Sequence, residues 1–277
     1  MLSYKKLCEK FNLKGRTIIA EEGINSTLEG TLSDTENFLK EFLKDERFSD
    51  AQIKRSAGTG ASFPKLSIKV REEIVATKLP KSVDPRVQTA THLTPEELRK
   101  WYENQKDFVI VDMRNSYEYA SGHFKNSIDT GLDASRELPE KIKKIKEATK
   151  NKTVLTVCTG GVRCEKMSAY LLQEGFKDVY QLDGGMHGYM EKYPGKDFLG
   201  TLYTFDERLV MDFGGDREII GKCKRCECKT EKYQNCTNAE CNILFLICSD
   251  CVHSVGVGFC SAKCELNPAR VIQRLRE

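Results

Sequence analysis

The segment TVLTVCTGGVRC, residues 153–164, gives the clearest indication of the fold class. Residues 153–157 are apolar or β-branched, which predicts a buried strand. A helix pattern, CEKMSAYLLQEGF, begins just after the glycines. A strand that runs through a short loop into a helix is typical of parallel α/β sheets, whose ligands bind at the carboxyl ends of the strands. We therefore expect Cys158 to lie at a ligand-binding edge of such a sheet.

The loop that begins at Cys158 combines three features that favour a thiolate over a thiol. Gly160 and Gly161 allow successive backbone N–H groups to point inward as an anion-binding nest. The following helix directs the positive end of its dipole at the same point, and Arg163 adds a permanent cation. The loop therefore predicts a nucleophilic cysteine able to carry a persulfide or a covalent adduct. Catalytic roles are expected for Cys158 and Arg163, in an active loop that also contains Thr159, Gly160, Gly161, Val162 and Cys164.

Cys164 is expected to matter less than Cys158. It follows Arg163, where the helix is already under way, so its side chain need not face the nest. It remains a candidate to resolve an oxidised Cys158 through a disulfide.

Supporting charges are expected beside this loop. A second buried strand, DFVIVDM, ends at Asp112, and Arg114 and Glu118 follow. Because parallel strands end at one edge of a sheet, these three side chains should pair their charges near Cys158. The interpretation that they hold the loops in place is favoured over direct chemistry.

The chain divides into three modules and a linker. Residues 1–78 follow the order helix, strand, strand, helix, strand, with a turn at EEGIN, residues 21–25, and the second helix over residues 35–45. This order predicts a ferredoxin-like or acylphosphatase-like α+β module without its first strand. Either the chain begins inside that module, or the strand comes from elsewhere. Residues 79–91 contain two prolines and predict a linker. Residues 92–198 alternate strands and helices as a parallel α/β domain does, and a capping box of Thr94 and Glu97 predicts the start of the first helix. Residues 205–277 form a cysteine-rich module.

Composition narrows the possible class of protein. The chain has 277 residues, a net charge of +3 and 12 cysteines. The longest apolar run, residues 243–248, is far shorter than the ~18 residues of a membrane helix. The start of the chain also lacks the pattern of a secretory signal. We expect a cytoplasmic protein without a membrane partner, in which cysteines stay reduced.

The cysteine-rich module has the spacing of metal ligands. Close cysteine pairs, two of them CxxC, suffice for two tetrahedral thiolate sites, with Cys228 left over. Zinc is the expected metal, and a reduced or partly oxidised cluster is the alternative. The predicted ligands are Cys223, Cys226, Cys236, Cys241, Cys248, Cys251, Cys260 and Cys264.

A local basic stretch offers the best site for phosphate groups. Residues 51–71 contain five basic side chains and no acidic one. A solvated face is the ordinary interpretation of such a run, and phosphate binding is the functional one. The candidates for RNA contact are Lys54, Arg55 and Lys65.

The central module resembles a rhodanese. Four residues separate Cys158 from Arg163, which fits a rhodanese loop better than the longer tyrosine-phosphatase loop. More closely, EEGINSTLEG, DMRNSYEYASGHF, CTGGVRCEK, FDER and the cysteine cluster occur in the order found in the rhodanese-containing tRNA uridine hydroxylases. The resemblance covers nearly the whole chain, because single rhodaneses lack both the EEGIN module and the cysteine tail.

This resemblance implies an activity and its partners. It implies oxygen-dependent hydroxylation of the wobble uridine in a tRNA anticodon stem-loop, giving 5-hydroxyuridine, with Cys158 as the essential cysteine. Molecular oxygen would be the co-substrate, no organic cofactor is evident, and no protein partner can be inferred. The alternative is a sulfurtransferase or persulfide carrier that uses the same cysteine on thiosulfate or another small donor. The residues leave open whether Cys158 acts as a persulfide or as a direct nucleophile.

Overall fold

The computed structural model describes residues 2–150, 152–211, 213–214, 218–255 and 258–266. Its N-terminal module contains α1 (Leu2–Lys10), β1 (Lys14–Ala20), β2 (Gly23–Glu29), α2 (Leu32–Phe42) and β3 (Leu66–Val70). The sheet order is β2-β1-β3, in which β1 pairs antiparallel with β2 and parallel with β3. Both helices pack on one aromatic core, which includes Tyr4, Phe38 and Phe42.

The boundaries of this module differ slightly from the predicted ones. The hairpin turn is limited to Glu21 and Glu22, and the predicted turn residues 23–25 already belong to β2. The helix predicted over residues 35–45 begins at Leu32. Thr31 explains the earlier start, because its side chain accepts a hydrogen bond from the backbone N–H of Asp34 at 3.1 Å and caps the helix.

The segment predicted as a linker packs against the central module. Leu79, Val83 and Ala90 are buried in a hydrophobic cluster that also contains Met167 and Leu171. The segment contains few large apolar residues, but most of them are buried. The segment therefore fixes the position of the N-terminal module instead of merely connecting it.

The central module is a five-stranded parallel sheet between two layers of helices. The strand order is β4-β9-β8-β5-β7, and every pair within it is parallel. The elements in chain order are β4 (Thr91–Leu93), α3 (Pro95–Glu103), β5 (Phe108–Asp112), α4 (Ser116–Ser121), β6 (Gly122–Phe124), β7 (Ser127–Asp129), α5 (Leu138–Thr149), β8 (Thr153–Val157), α6 (Val162–Gln173), β9 (Val179–Leu182) and α7 (Gly185–Lys192).

Two hydrophobic clusters cover the two faces of this sheet. Helices α5 and α6 contribute Leu138 and Met167 to one cluster, and α3 and α7 contribute Leu98 and Tyr189 to the other. The capping box predicted at the start of α3 is confirmed, with Glu97 bonded reciprocally to the N-cap residue. Strands β5 and β8, in the middle of the sheet, place the ends of two buried strands beside each other, and the functional residues follow them.

The C-terminal module consists of short strands and two short helices. They are β10 (Phe198–Gly200), β11 (Leu202–Tyr203), β12 (Val210–Met211), β13 (Tyr233–Asn235), β14 (Leu244–Leu246), α8 (Ser249–Val255) and α9 (Ala262–Leu266). Strand β10 pairs with β6 of the central module, and the Tyr233 hydroxyl donates to the carbonyl of Tyr117 at 2.7 Å. The cysteine-rich module therefore packs directly on the central domain. Among the helices of the described ranges, none is long and apolar enough to span a bilayer.

Candidate active site

Cys158 lies at the carboxyl end of β8, at the base of the loop. Its side chain is 2% exposed. The backbone N–H of Gly161 donates to the sulfur at 3.2 Å, and the backbone N–H groups of Arg163 and Cys164 further lower the pKa of the thiol. Gly161 has a φ of +94°, which glycine adopts without strain and which lets the chain curl back. These N–H groups form the anion-binding nest that the glycines predict.

The loop is held in this shape by hydrogen bonds to its carbonyl oxygens. The backbone N–H groups of Met186 and His187, in the first turn of α7, donate to the first two carbonyls of the loop at 2.9 and 3.0 Å. The third carbonyl, that of Gly160, accepts from the ammonium group of Lys54 at 2.7 Å. Because successive carbonyls are bonded from outside the loop, the N–H groups stay turned toward the sulfur.

Arg163 is fixed by a two-point ion pair. Its guanidinium nitrogens lie 2.6 and 2.8 Å from the carboxylate oxygens of Glu118, and it also donates to the hydroxyl of Thr159 at 3.1 Å. Burial raises the pKa of Glu118, but the charge and hydrogen bonds of Arg163 and the charge of Arg114 together outweigh burial and lower that pKa below its usual value. Glu118 therefore stays ionised and holds the cation beside the nest.

Asp112 and Arg114 form a second buried pair that supports the loops. The guanidinium of Arg114 lies 2.7 Å from Asp112, and both side chains are almost fully buried. Arg114 also donates to the carbonyl of Gly122 at 2.6 Å. The charge pairing expected of the three supporting residues is present: Asp112 and Arg114 hold loops together, and Glu118 orients Arg163.

Cys164 lies closer to the reactive sulfur than the sequence suggests. Its thiol is fully buried and donates a hydrogen bond to Cys158. The reason is the tight start of α6 at Val162, which wraps the first helical turn around the sulfur. The side chain of Cys164 thus faces the nest, contrary to the expectation that it need not.

The two thiols have opposite tendencies to ionise. Burial raises the pKa of Cys158, but the hydrogen bond from Cys164, the charge of Arg163 and the loop N–H groups together lower that pKa well below its usual value. The pKa of Cys164 is raised by burial and then by the adjacent Cys158. The site therefore holds one thiolate, Cys158, which is stabilised by a neutral thiol.

The three basic RNA-contact candidates occupy different environments. Lys54 is half-buried on the active loop, and burial lowers its pKa. Arg55 is exposed and forms an ion pair with Glu36 at 3.1 Å, and Lys65 is exposed. Arg55 and Lys65 remain candidates for contact with phosphates, whereas the ammonium group of Lys54 already donates to a carbonyl of the active loop.

The N-terminal module is joined to the central module by the EEGIN segment, and to the C-terminal module by the FDER segment. Lys166, in α6, bonds to Glu22 at 3.1 Å and to Glu73 at 2.7 Å. Arg208 donates to the carbonyl of Ala57 at 2.9 Å. All three modules thus meet around the loop that holds Cys158.

The nine C-terminal cysteines include two groups that could hold a metal ion. Within each group, the sulfur atoms all lie within 4.8 Å of one another. One group contains Cys228 where the predicted ligand was Cys251, because the turn after Cys223 folds back, with the N–H of Cys223 bonded to the carbonyl of Cys228 at 2.8 Å. The thiol of Cys251 contacts the same group. The groups are Cys223, Cys226, Cys228 and Cys248, and Cys236, Cys241, Cys260 and Cys264.

Sequence reasoning missed the part that α7 and Lys54 play in shaping the loop. The segment LDGGMHGY carried a signal, since Gly185 has a φ of +64° and lies against the loop backbone. His187 is also buried beside the loop, with its ring 3.4 Å from the carboxylate of Glu191. Nothing in the sequence pattern pairs Lys54 with a loop that is more than 100 residues distant.

Three family models match consecutive parts of the chain. The model described as "UPF0176 acylphosphatase like domain" matches residues 2–74. The model described as "Rhodanese-like domain" matches residues 94–192, and the model described as "Rhodanase C-terminal" matches residues 199–265. Their order is that of the modules described above.

Curated relatives align over almost the whole chain. A protein of Staphylococcus carnosus (strain TM300) is 39% identical over 94% of this chain and 82% of its own length. One of Enterococcus faecalis (strain ATCC 700802 / V583) is 40% identical over 95% and 83%, and one of Staphylococcus aureus (strain Newman) is 42% identical over 93% and 81%. Each is named tRNA uridine(34) hydroxylase. With this identity over this length, the chain belongs to the tRNA uridine(34) hydroxylase family.

Proposed function

We propose that this chain hydroxylates the wobble uridine, residue 34 of tRNA, to 5-hydroxyuridine, with Cys158 as the essential side chain. The name shared by relatives about 40% identical to it supports this substrate. The observation that carries the proposal is the loop itself, because a buried thiolate in a ring of N–H groups is a nucleophile ready for chemistry on a base. The substrate is a tRNA anticodon stem-loop with the uridine turned out of its stack.

Molecular oxygen is the proposed co-substrate. Conversion of the C5–H bond of uridine to C5–OH takes one atom of O2. The other atom leaves as water after it receives two electrons and two protons. We assign these to two equivalents of a thiol reductant, which leave as a disulfide, so that atoms and electrons balance.

Two roles for Cys158 fit the loop. As a nucleophile, the thiolate adds to C6 of uracil and makes C5 electron-rich toward oxygen, and it is released after hydroxylation. As a persulfide, formed when thiosulfate transfers its outer sulfur to Cys158 and leaves as sulfite, the outer sulfur occupies the nest and takes up the second oxygen atom as a sulfenic group. The two thiols then reduce this group back to the persulfide and leave as a disulfide, with release of water. Mass spectrometry separates them: a trapped protein–RNA adduct supports the first role, and an additional sulfur that cyanide removes as thiocyanate supports the second.

The decisive experiment uses purified protein and an anticodon stem-loop with uridine at position 34. Incubation with isotopically labelled oxygen and a thiol should give 5-hydroxyuridine that carries one labelled oxygen atom. Cys158→Ser should give none while its thermal unfolding stays that of the wild type, since the change is nearly isosteric. In cells, deletion of the gene should deplete nucleosides derived from 5-hydroxyuridine in bulk tRNA. Unlabelled product would overturn the role of oxygen, and product from Cys158→Ser would overturn the role of the cysteine.

The sulfurtransferase alternative uses the same thiolate and nest, which suit a persulfide as well as a ring adduct. Rapid transfer of sulfur from thiosulfate to cyanide, without any hydroxylation of the stem-loop, would favour that alternative.

We also propose that each cysteine group holds one zinc ion. Sulfur–sulfur distances of 3.4 to 3.6 Å within the groups are close to the edge of about 3.8 Å that a tetrahedron with ~2.3 Å zinc–sulfur bonds would have. All eight ligands are cysteines, the thiolate set typical of structural zinc. The ions would stabilise a module whose core consists largely of these cysteines.

A further inference from the structure

One aromatic ring stands exposed beside the active loop. Of the Phe, Tyr and Trp side chains in the described part of the chain, Phe205 is the one that is exposed, at 48%. Its ring centroid lies 5.4 Å from the guanidinium carbon of Arg163. Arg163 in turn is a positive charge that lowers the pKa of Cys158. An exposed apolar ring is therefore placed at the reactive end of the site.

The turn that carries this ring is held rigidly. Asp206 forms an ion pair with Arg208 at 2.7 Å and accepts from the hydroxyl of Thr204 at 3.2 Å. Arg208 is also tied to the N-terminal module through the carbonyl of Ala57. A ring on such a turn loses little conformational freedom when a ligand packs on it, because its backbone is already fixed.

Other aromatic side chains pack against the ring of Phe205. Tyr203 meets Phe205 edge to face at a centroid distance of 5.2 Å. Tyr203 itself packs edge to face on Tyr117 at 5.3 Å and on Tyr233 at 5.1 Å. These rings come from the central module and from the cysteine-rich module. Both modules therefore contribute rings to this aromatic cluster, in which Phe205 is the exposed member.

We propose that Phe205 stacks on the base of the wobble uridine and holds it out of the anticodon stack beside Cys158. This inference rests on the function proposed above and adds the residue that binds the base. Aromatic side chains are the usual platforms for unstacked bases, since every base offers a flat face. The guanidinium of Arg163 behind the ring is fixed by Glu118, so the platform is firm and carries positive charge close to the RNA.

The test compares two RNAs and three variants. One RNA is the anticodon stem-loop with uridine at position 34, and the other is abasic at that position. The variants are Phe205→Ala, Phe205→Trp and, as a matched control, Ile243→Ala, which alters another apolar side chain of similar exposure (44%). Affinity is measured by fluorescence anisotropy at fixed salt, and the iodoacetamide reaction rate of Cys158 is followed in parallel.

Phe205→Ala should weaken binding of the uridine stem-loop by roughly 5- to 150-fold, the usual scale for one stacked base. It should leave binding of the abasic stem-loop unchanged, and Phe205→Trp and Ile243→Ala should bind both RNAs as the wild type does. Equal loss on both RNAs would overturn the proposal by placing the contact on another nucleotide, and so would an unchanged affinity. A slower iodoacetamide reaction in Phe205→Ala would also overturn it, because the ring would then act through Arg163. Failure of the wild type to hydroxylate the uridine stem-loop would instead refute the proposed function.

Discussion

At the scale of single residues, the site depends on two buried thiols of unequal acidity. Cys158 receives hydrogen bonds from the loop and from Cys164, whereas Cys164 lies beside the negative sulfur. Reactivity should follow the thiolate, because a neutral thiol is a poor nucleophile. Cys164 therefore lowers the pKa of Cys158 without acting as a nucleophile itself.

Alkylation of Cys158 as a function of pH tests this arrangement. Half-maximal labelling by iodoacetamide should occur well below the ordinary cysteine pKa of about 8.5. Cys164→Ala removes a hydrogen-bond donor, so the midpoint should move to higher pH, and Cys164→Ser keeps a donor and should move it less. The extent of labelling is read by mass spectrometry of the peptide that contains Cys158. Identical curves for the wild type and Cys164→Ala would show that the donor does not matter.

At the scale of elements, the loop owes its shape to the start of α7. Gly185 has a φ of +64°, and a Cβ there would lie 2.6 Å from the N of Gly161 and 2.7 Å from the O of Cys158. Backbone atoms cannot yield as a flexible side chain can. The glycine is therefore required by the close approach of α7 to the loop.

Gly185→Ala should lower the free energy of unfolding by about 2–5 kcal/mol, since the left-handed φ costs ~1–2 kcal/mol and the clash with the loop backbone adds ~1–3 kcal/mol. It should also strongly reduce the alkylation rate of Cys158. Gly175→Ala is the matched control, because Gly175 also has a positive φ, of +85°, but no atom within 4 Å of its Cβ position. The control should cost only the ~1–2 kcal/mol of a left-handed residue and leave the thiol reactive. Denaturant titration and alkylation measure the two effects, and equal loss of reactivity in both variants would contradict this account.

In the molecule as a whole, the basic residues Lys54, Arg55 and Lys65 should have two different functions. Lys54→Met removes the ammonium group from Gly160 and should slow alkylation of Cys158, with little effect on the salt dependence of tRNA binding. Arg55→Ala together with Lys65→Ala should flatten that dependence by about one unit of slope per lost phosphate contact. Lys5→Ala, which removes an exposed charge from α1, is the control for net charge. If the double variant and the wild type give parallel lines, these residues contact no phosphate.

Removal of the metal should destabilise only the cysteine-rich module. Purified protein should contain two zinc ions per chain by elemental mass spectrometry, Cys236→Ser should lose one, and Cys158→Ser should keep both. Chelation should unfold the cysteine-rich module, because its thiolate groups would repel one another without the ions. Proteolysis would then cut between Cys223 and Cys264 first. Unchanged proteolysis after complete removal of zinc would show that the metal does not hold the module together.

Features that depend on neighbouring residues could be predicted from the order of amino acids. The strand at residues 153–157, the glycine turn and the helix start are fixed by local propensity and hydrogen bonding. The capping box of α3 likewise involves two residues that are three positions apart, Thr94 and Glu97. The order of motifs was also enough to identify the family, since those motifs run in sequence along nearly the whole chain.

The side chains that meet around Cys158 could be identified only once the packing of the three modules was known. Lys54 reaches the loop because the N-terminal module packs against it, and Phe205 stands beside Arg163 because three modules converge at one turn. Cys164 turns toward the nest through the geometry of a single helical turn, and Cys228 joins a sulfur group through a backbone that folds back. The physical reason is that these contacts form when separate surfaces of the chain pack together. Local propensity and residue spacing carry no information about which surfaces will meet.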